Sequence, residues 1–138
     1  MRNLMCLPVL FFGLISCGSD ETNDIINSEL TGAWKLTEAY ISAGGPQYWV
    51  DVENGETLTF FENGTFNSDR FTECTTGTFS REQNELFLKY NCNGFEAELE
   101  NEQGFITYNL TFESDSFIVT PTSGPVCIEG CSYKYRKK

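Results

Sequence analysis

From residue 33 to the C-terminus, the sequence repeats one pattern: a short run of aromatic and β-branched residues, then a few residues rich in Gly, Asn, Asp or Ser. Runs of this length and spacing are typical of short antiparallel strands that form a barrel or a sandwich. No window shows the 3.6-residue periodicity of a helix. The fold class is therefore all-β, and the pattern predicts strands near residues 33–42, 56–61, 65–71, 75–80, 85–91, 95–100, 105–112, 116–120 and 131–136.

Two segments indicate which side chains of a strand are buried and which face solvent. Segment 95–100 has Phe95, Ala97 and Leu99 on one face and three glutamates on the other, and segment 106–112 repeats this alternation. A sheet with one buried side and one solvent-facing side needs this pattern. Both segments are predicted as strands of an antiparallel wall.

The hairpin turn at residues 63–64 allows two registers. A two-residue loop would pair Leu58 with Asp69 and would mix apolar and polar side chains on one face. A three-residue loop, with its glycine in the left-handed conformation, pairs Phe60 with Phe66 and keeps the apolar set together. Because the register must keep the apolar side chains together on the buried face, we predict the three-residue loop.

The first predicted strand begins in a stretch where Leu30, Gly32, Trp34 and Leu36 occupy alternate positions. The same alternation predicts that Trp34, Leu36 and Tyr40 share one face. A Leu-x-Gly-x-Trp-x-Leu opening resembles the first strand of lipocalin-like barrels, in which the Trp plugs the closed end.

The resemblance covers residues 30–138, which look like the lipocalin-like domain of small lipoproteins of Bacteroidota. It is carried by this opening, the Phe-x-x-Asn-Gly-Thr-Phe hairpin at 60–66, the Gly-Thr-Phe at 77–79, and the Cys-Ile-Glu-Gly-Cys loop at 127–131. It implies an antiparallel up-and-down β-barrel of about eight to nine strands. It also implies a structural role for the opening residues and a small apolar ligand at the barrel mouth.

The longest stretch without a strand pattern is 42–50, where Gly-Gly-Pro precedes Tyr48 and Trp49. In a lipocalin-like barrel the link after the first strand arches over the open end. Tyr48 and Trp49 are then either a lid over a cavity, which makes them candidate ligand-binding residues, or a plug that closes a solid core.

The N-terminus has the features of an exported lipoprotein. Residues 1–16 are predicted to be a signal peptide, because Arg2 precedes an apolar run too short to span a bilayer. The run ends in Leu-Ile-Ser-Cys at 14–17, which resembles a bacterial lipobox and implies that Cys17 is lipidated. Residues 17–29 are polar and acidic and are predicted to form a flexible tether. We expect an outer-membrane protein that faces the periplasm or the cell surface.

Four further cysteines lie in the predicted barrel, and an even number in an exported chain predicts disulfides. Four cysteines allow three pairings. We favour Cys74 with Cys92, which leaves Cys127 and Cys131 to close a small loop. A catalytic dithiol at Cys127 and Cys131 is the alternative, but the two-residue spacing and the following helix of such sites are missing.

The favoured pairing depends on a register. A hairpin centred on Gln83 sets Cys74 directly opposite Cys92. The same register puts Phe79 and Leu86 on opposite faces, whereas a slip of one residue would reunite them. The pairing therefore requires a bulge near Cys74.

Charge and composition exclude several functions. The chain carries 20 acidic and 9 basic residues, a net charge of −11, which repels nucleic acid. It contains no His, the commonest general base and metal ligand, so no Ser-His-Asp triad can form. Alternating glutamates at 96–102 are expected to face solvent instead of converging on Ca²⁺. We predict no metal, no cofactor and no enzymatic activity.

These features predict a monomeric binding module, held at the membrane through lipid on Cys17, that takes a small apolar ligand. The alternative is a barrel of the cell envelope that interacts with or inhibits another protein through its loops or its acidic wall.

Overall fold

The computed structural model describes residues 28–125, 127 and 130–138. The signal peptide, Cys17 and the tether up to residue 27 therefore lie outside the described residues. The strands are β1 (Gly32–Ile41), β2 (Tyr48–Asp51), β3 (Thr57–Phe60), β4 (Thr65–Ser68), β5 (Thr76–Glu82), β6 (Glu85–Tyr90), β7 (Ile106–Phe112), β8 (Ser116–Pro121) and β9 (Ser132–Lys137).

The strands form a closed antiparallel barrel. Neighbours pair in the order β1-β3-β4-β5-β6-β7-β8-β9, and β9 pairs back onto β1. Eight strands thus close the wall, and β2 adds to β1 as an extra strand. The predicted fold class is confirmed.

One edge of β1 carries two strands in succession. The first half of β1 pairs with β3, from Gly32 opposite Phe60, and the second half pairs with β2, up to Ile41 opposite Tyr48. The sequence prediction missed β2. Its Gly-Gly-Pro break makes only the turn after β1, and the chain then returns alongside β1 because both strands offer unpaired backbone groups there.

The loop 52–56 between β2 and β3 passes very close to β1. The N–H of Leu36 donates to the carbonyl oxygen of Glu56 at 2.9 Å. A Cβ at Gly55 would lie 2.2 Å from the Leu36 carbonyl oxygen, so only glycine fits this approach.

The strand predicted at 95–100 is wrong. These residues lie in the turn-rich connection between β6 and β7, and the Phe95 N–H donates to the Cys92 carbonyl at 3.2 Å. Because β6 pairs directly with β7, the sheet has no position for another strand. The alternation has another origin. Phe95, Ala97 and Leu99 belong to a loop that covers the core, and their half-buried side chains pack against it.

The hairpin prediction at residues 60–66 is confirmed. Phe60 pairs with Phe66, Leu58 pairs with Ser68, and Gly64 has a φ of 82°. The left-handed glycine allows the extra loop residue that keeps both phenylalanines inside the barrel.

The β5–β6 hairpin differs by one residue from its prediction. Phe79 pairs with Leu88, so the turn is centred between residues 83 and 84. This slip brings Phe79 and Leu86 to the buried face. Cys74 lies before the start of β5 and still bridges to Cys92, with 5.8 Å between the Cα atoms.

The second predicted bridge is present as well. Cys127 and Cys131 are joined, and their Cα atoms are 6.0 Å apart.

A bulge in β1 changes one predicted face. The register against β9 shifts between Leu36 and Glu38. As a result Ala39 becomes buried, and Tyr40, predicted to share the face of Trp34, lies outside the core with its ring 5.2 Å from Trp49.

Aromatic side chains fill the barrel interior. Phe60, Phe66 and Phe117 have at most 1% of their surface exposed. Their rings contact neighbouring rings edge-on or stacked at centroid distances of 4.7 to 6.4 Å. The core is therefore packed with side chains and is not hollow along its length.

Candidate ligand cavity at the open end of the barrel

The residues that precede β1 close one end of the barrel. Leu30 is fully buried, and its carbonyl oxygen accepts a hydrogen bond from the Trp34 indole nitrogen at 2.7 Å. Glu29 pairs with Arg81 at 2.7 Å, and the Arg81 guanidinium lies 4.7 Å from the centre of the Phe112 ring. Leu30 and Trp34 thus help to build the closed end.

A cavity of about 490 Å³ lies at the other end. It is bounded by β1, the loop 52–56, the residues after β4, and β9. Its apolar and aromatic lining comes from Leu36, Tyr133 and Tyr135, and its charged lining comes from Lys35, Glu56, Asp69 and Arg70.

Glu56 is fixed by hydroxyl groups from β4 and β9. Its Oε1 accepts a short hydrogen bond from Tyr135, and its Oε2 accepts one from Ser68 at 3.5 Å. Tyr135 is 4% exposed. Burial first, and then the negative charge of Glu56, raise the pKa of Tyr135 well above its usual value. Tyr135 therefore remains protonated and acts as a donor.

Arg70 lies just beyond the end of β4. Its Nη1 donates to the Tyr108 hydroxyl at 3.5 Å, and its guanidinium lies 5.3 Å from the centre of the Phe71 ring. Among the described residues, no carboxylate oxygen lies within 4.0 Å of this guanidinium. Arg70 is thus a partly exposed cation held by a hydroxyl and an aromatic ring.

Burial raises the pKa of Tyr108 to about 12, although the charge of Arg70 lowers it and Glu56 raises it. The hydroxyl accepts from Arg70, so its own proton remains to be donated. Burial is also the largest cause that raises the pKa of Tyr90, whereas a hydrogen bond with Ser68 lowers it.

An aromatic cluster supports Arg70. The rings of Phe71, Tyr90 and Phe95 lie 5.1 to 5.4 Å apart, centre to centre. The bridge between Cys74 and Cys92 ties the segment after β4 to the segment after β6. This covalent link fixes the backbone near Arg70.

Tyr48 and Trp49 do not line this cavity. They are 48% and 37% exposed on β2, and Trp49 packs against Tyr40 and lies 5.0 Å from the Lys134 ammonium. Their exposure contradicts the core-plug alternative. A ligand-binding role for them stays a prediction.

Sequence reasoning did not find Glu56, Arg70 or Tyr135 as site residues. They come from separate segments and share no local motif. The only signal was the alternation in 106–112, which predicted that Tyr108 faces inward.

Across the described ranges, no group of three or more Cys, Asp or Glu side chains has the arrangement of a metal site. Within the same part of the chain, no helix has the length and apolar character needed to cross a bilayer.

The chain has a distant structural similarity to a solved protein. No family model and no curated protein matches the chain. The crystal structure of an uncharacterized protein from Bacteroides eggerthii DSM 20697 is similar with a TM-score of 0.41 and 15% sequence identity. The similarity covers 79% of this chain and 99% of that chain.

Proposed function

We propose that this chain is a lipid-anchored barrel of the bacterial cell envelope that binds a small amphipathic molecule in the cavity at its open end. The observation that carries the proposal is the cavity itself. Its volume of about 490 Å³ suits a small ligand, and its lining combines aromatic surface with a few fixed polar groups.

The packed interior limits the size and the depth of the ligand. Leu36 and Tyr133 are half-buried at the edge of a core whose central phenylalanines are fully buried. The ligand therefore rests on top of the core, with its apolar part against Leu36 and Tyr133. A long apolar chain inserted along the barrel axis does not fit this packing.

The lipobox-like sequence at 14–17 supports the anchor. β1 begins at the closed end, so a tether that precedes it would reach the barrel there. The cavity lies at the opposite end and would remain accessible when the lipid on Cys17 is inserted in the outer membrane, from either the periplasmic or the external side.

The test is a titration of the purified full chain with the neutral fluorescent probe N-phenyl-1-naphthylamine. We expect saturable enhancement, and Tyr133→Ala should weaken binding at least tenfold because it removes aromatic surface from the cavity. Trp49→Ala is the matched aromatic control outside the cavity. The cavity assignment is wrong if only Trp49→Ala weakens binding, and the binding function is wrong if no probe binds.

A second candidate function is protein binding through β2. Tyr48 and Trp49 are large exposed aromatic residues on a strand that pairs only with β1 among the described strands. Such a strand edge can accept another chain. A partner that binds the wild type and is lost with Trp49→Ala, together with a failed probe titration, would favour this candidate.

A further inference from the structure

We propose that the ligand of this cavity carries a single carboxylate, which Arg70 binds while Tyr108 positions the guanidinium. This inference rests on the proposed small-molecule function and names the chemical class of its ligand: a monocarboxylic acid with a compact apolar body.

The carboxylates of the cavity already have donors from the protein. Glu56 accepts from Tyr135 and from Ser68. Asp69 accepts from the backbone N–H of Thr57 at 2.6 Å. Their negative charges are therefore stabilised without a ligand.

Within the described part of the chain, the cations of the cavity form no direct ion pair, and Glu56 acts on Arg70 only through its charge. Elsewhere in the described barrel, Arg81, Lys134 and Arg136 each lie within 3.5 Å of a carboxylate oxygen, whereas Lys89 does not. Arg70 and Lys35 have no carboxylate oxygen within 4.0 Å among the described residues. In a chain with a net charge of −11, such cations beside a cavity are open positions for an anion.

Arg70 is prepared to bind that anion. A guanidinium has five N–H donors in a fixed plane, and in the described structure the Arg70 side chain makes one hydrogen bond, to Tyr108. The Phe71 ring supports the guanidinium from one side. The remaining donors can hold a carboxylate through two parallel hydrogen bonds.

Tyr108 is buried, and its hydroxyl accepts the hydrogen bond from Arg70, which gives the guanidinium a fixed partner beside the cavity. Glu56 and Asp69 share the cavity with Arg70 and Lys35, so the formal charge of the lining is zero. A monoanion is compatible with this balance. A dianion such as a phosphate monoester would meet more repulsion from Glu56 and Asp69.

The experiment compares 1-naphthoate, 1-naphthalenemethanol and 1-naphthyl phosphate, which share one compact aromatic body, by calorimetric titration of the full chain at pH 7.5 and low salt. We expect 1-naphthoate to bind at least tenfold more tightly than the alcohol and the phosphate. Arg70→Gln should abolish the preference over the alcohol and leave binding of the alcohol unchanged. Tyr108→Phe should reduce the preference severalfold, and Arg70→Lys should retain part of it. Lys89→Gln, which removes a cation outside this cavity that also has no carboxylate oxygen within 4.0 Å among the described residues, should change nothing.

The outcomes separate the two proposals. If the alcohol and 1-naphthoate bind equally and Arg70→Gln has no effect, the carboxylate inference is wrong while the binding function stands. If 1-naphthyl phosphate binds most tightly, the carboxylate is also wrong. If none of the three ligands binds and the neutral probe does not bind, the proposed function itself is wrong. Far-UV circular dichroism verifies that each variant is folded.

Discussion

Replacing Trp34 by Ala tests the structural role of the closed end. The Trp34 side chain is 4% exposed, and its ring meets Phe117 edge-on at 4.8 Å. Its indole nitrogen also donates to the Leu30 carbonyl. The substitution therefore removes ring packing and a buried hydrogen bond at once.

The expected loss follows from these contacts. Truncating a buried Trp to Ala costs about 3–5 kcal/mol, because the cavity that remains collapses only in part. For a domain of roughly 100 residues, each kcal/mol lowers the melting temperature by about 4 °C, so the decrease should be about 12–20 °C. Trp34→Phe keeps most of the packing and should cost about 1–2 kcal/mol for the unsatisfied Leu30 carbonyl.

Thermal and urea unfolding followed by far-UV circular dichroism would measure these losses without relying on Trp fluorescence. Trp49→Ala is the matched control. Its ring is 37% exposed and contacts Tyr40, so its removal should cost about 1 kcal/mol. The reasoning is refuted if Trp34→Ala melts within about 4 °C of the wild type, or if Trp49→Ala is equally destabilised.

Two further predictions concern alkaline pH and the anchor. The pKa of Tyr108 is raised to about 12, so the native state holds a proton that the unfolded chain releases near pH 10. Stability should be unaffected by this group below about pH 10 and fall by roughly 2–3 kcal/mol as pH rises to about 12. Urea midpoints across this range should show a flatter decline for Tyr108→Phe than for the wild type, and equal slopes would contradict the assignment. Cys17→Ala should move the protein from the membrane fraction to the soluble fraction of cells, and persistent membrane association would show that Cys17 is not the anchor.

Local rules predicted those parts of the fold in which side-chain alternation and turn chemistry agreed. The hairpin of Phe60 and Phe66 is such a case, because one register alone buries both rings. The β5–β6 hairpin followed the same rule: burying Phe79 and Leu86 together outweighed a symmetric placement of Cys74 and Cys92. The disulfide tolerated the offset because Cys74 lies outside the strand.

The failures have tertiary causes. Phe95, Ala97 and Leu99 alternate with polar residues as in a strand. Because β6 pairs directly with β7, these residues instead lie in a loop that covers the core. The bulge after Leu36 moves Tyr40 to the face opposite Trp34, and no local sequence pattern indicates that bulge.

The cavity was beyond sequence reasoning for a similar reason. Arg70, Glu56 and Tyr108 meet only because closure of the barrel brings their segments together. Neither their spacing along the chain nor the local alternation indicates that they share one site.

Closure through β1 and β9 has a consequence for how the chain folds. β1 must remain with one edge unpaired until Ser132–Lys137 has been synthesised, because β9 is the strand that covers it. Contacts between such distant parts of a sequence form slowly, since a long loop has to be closed before they give any stability. During that interval β1 exposes a strand edge that other chains can pair with. A chain that ends before β9 should therefore aggregate or be degraded, whereas docking of β9 against β1 closes the barrel.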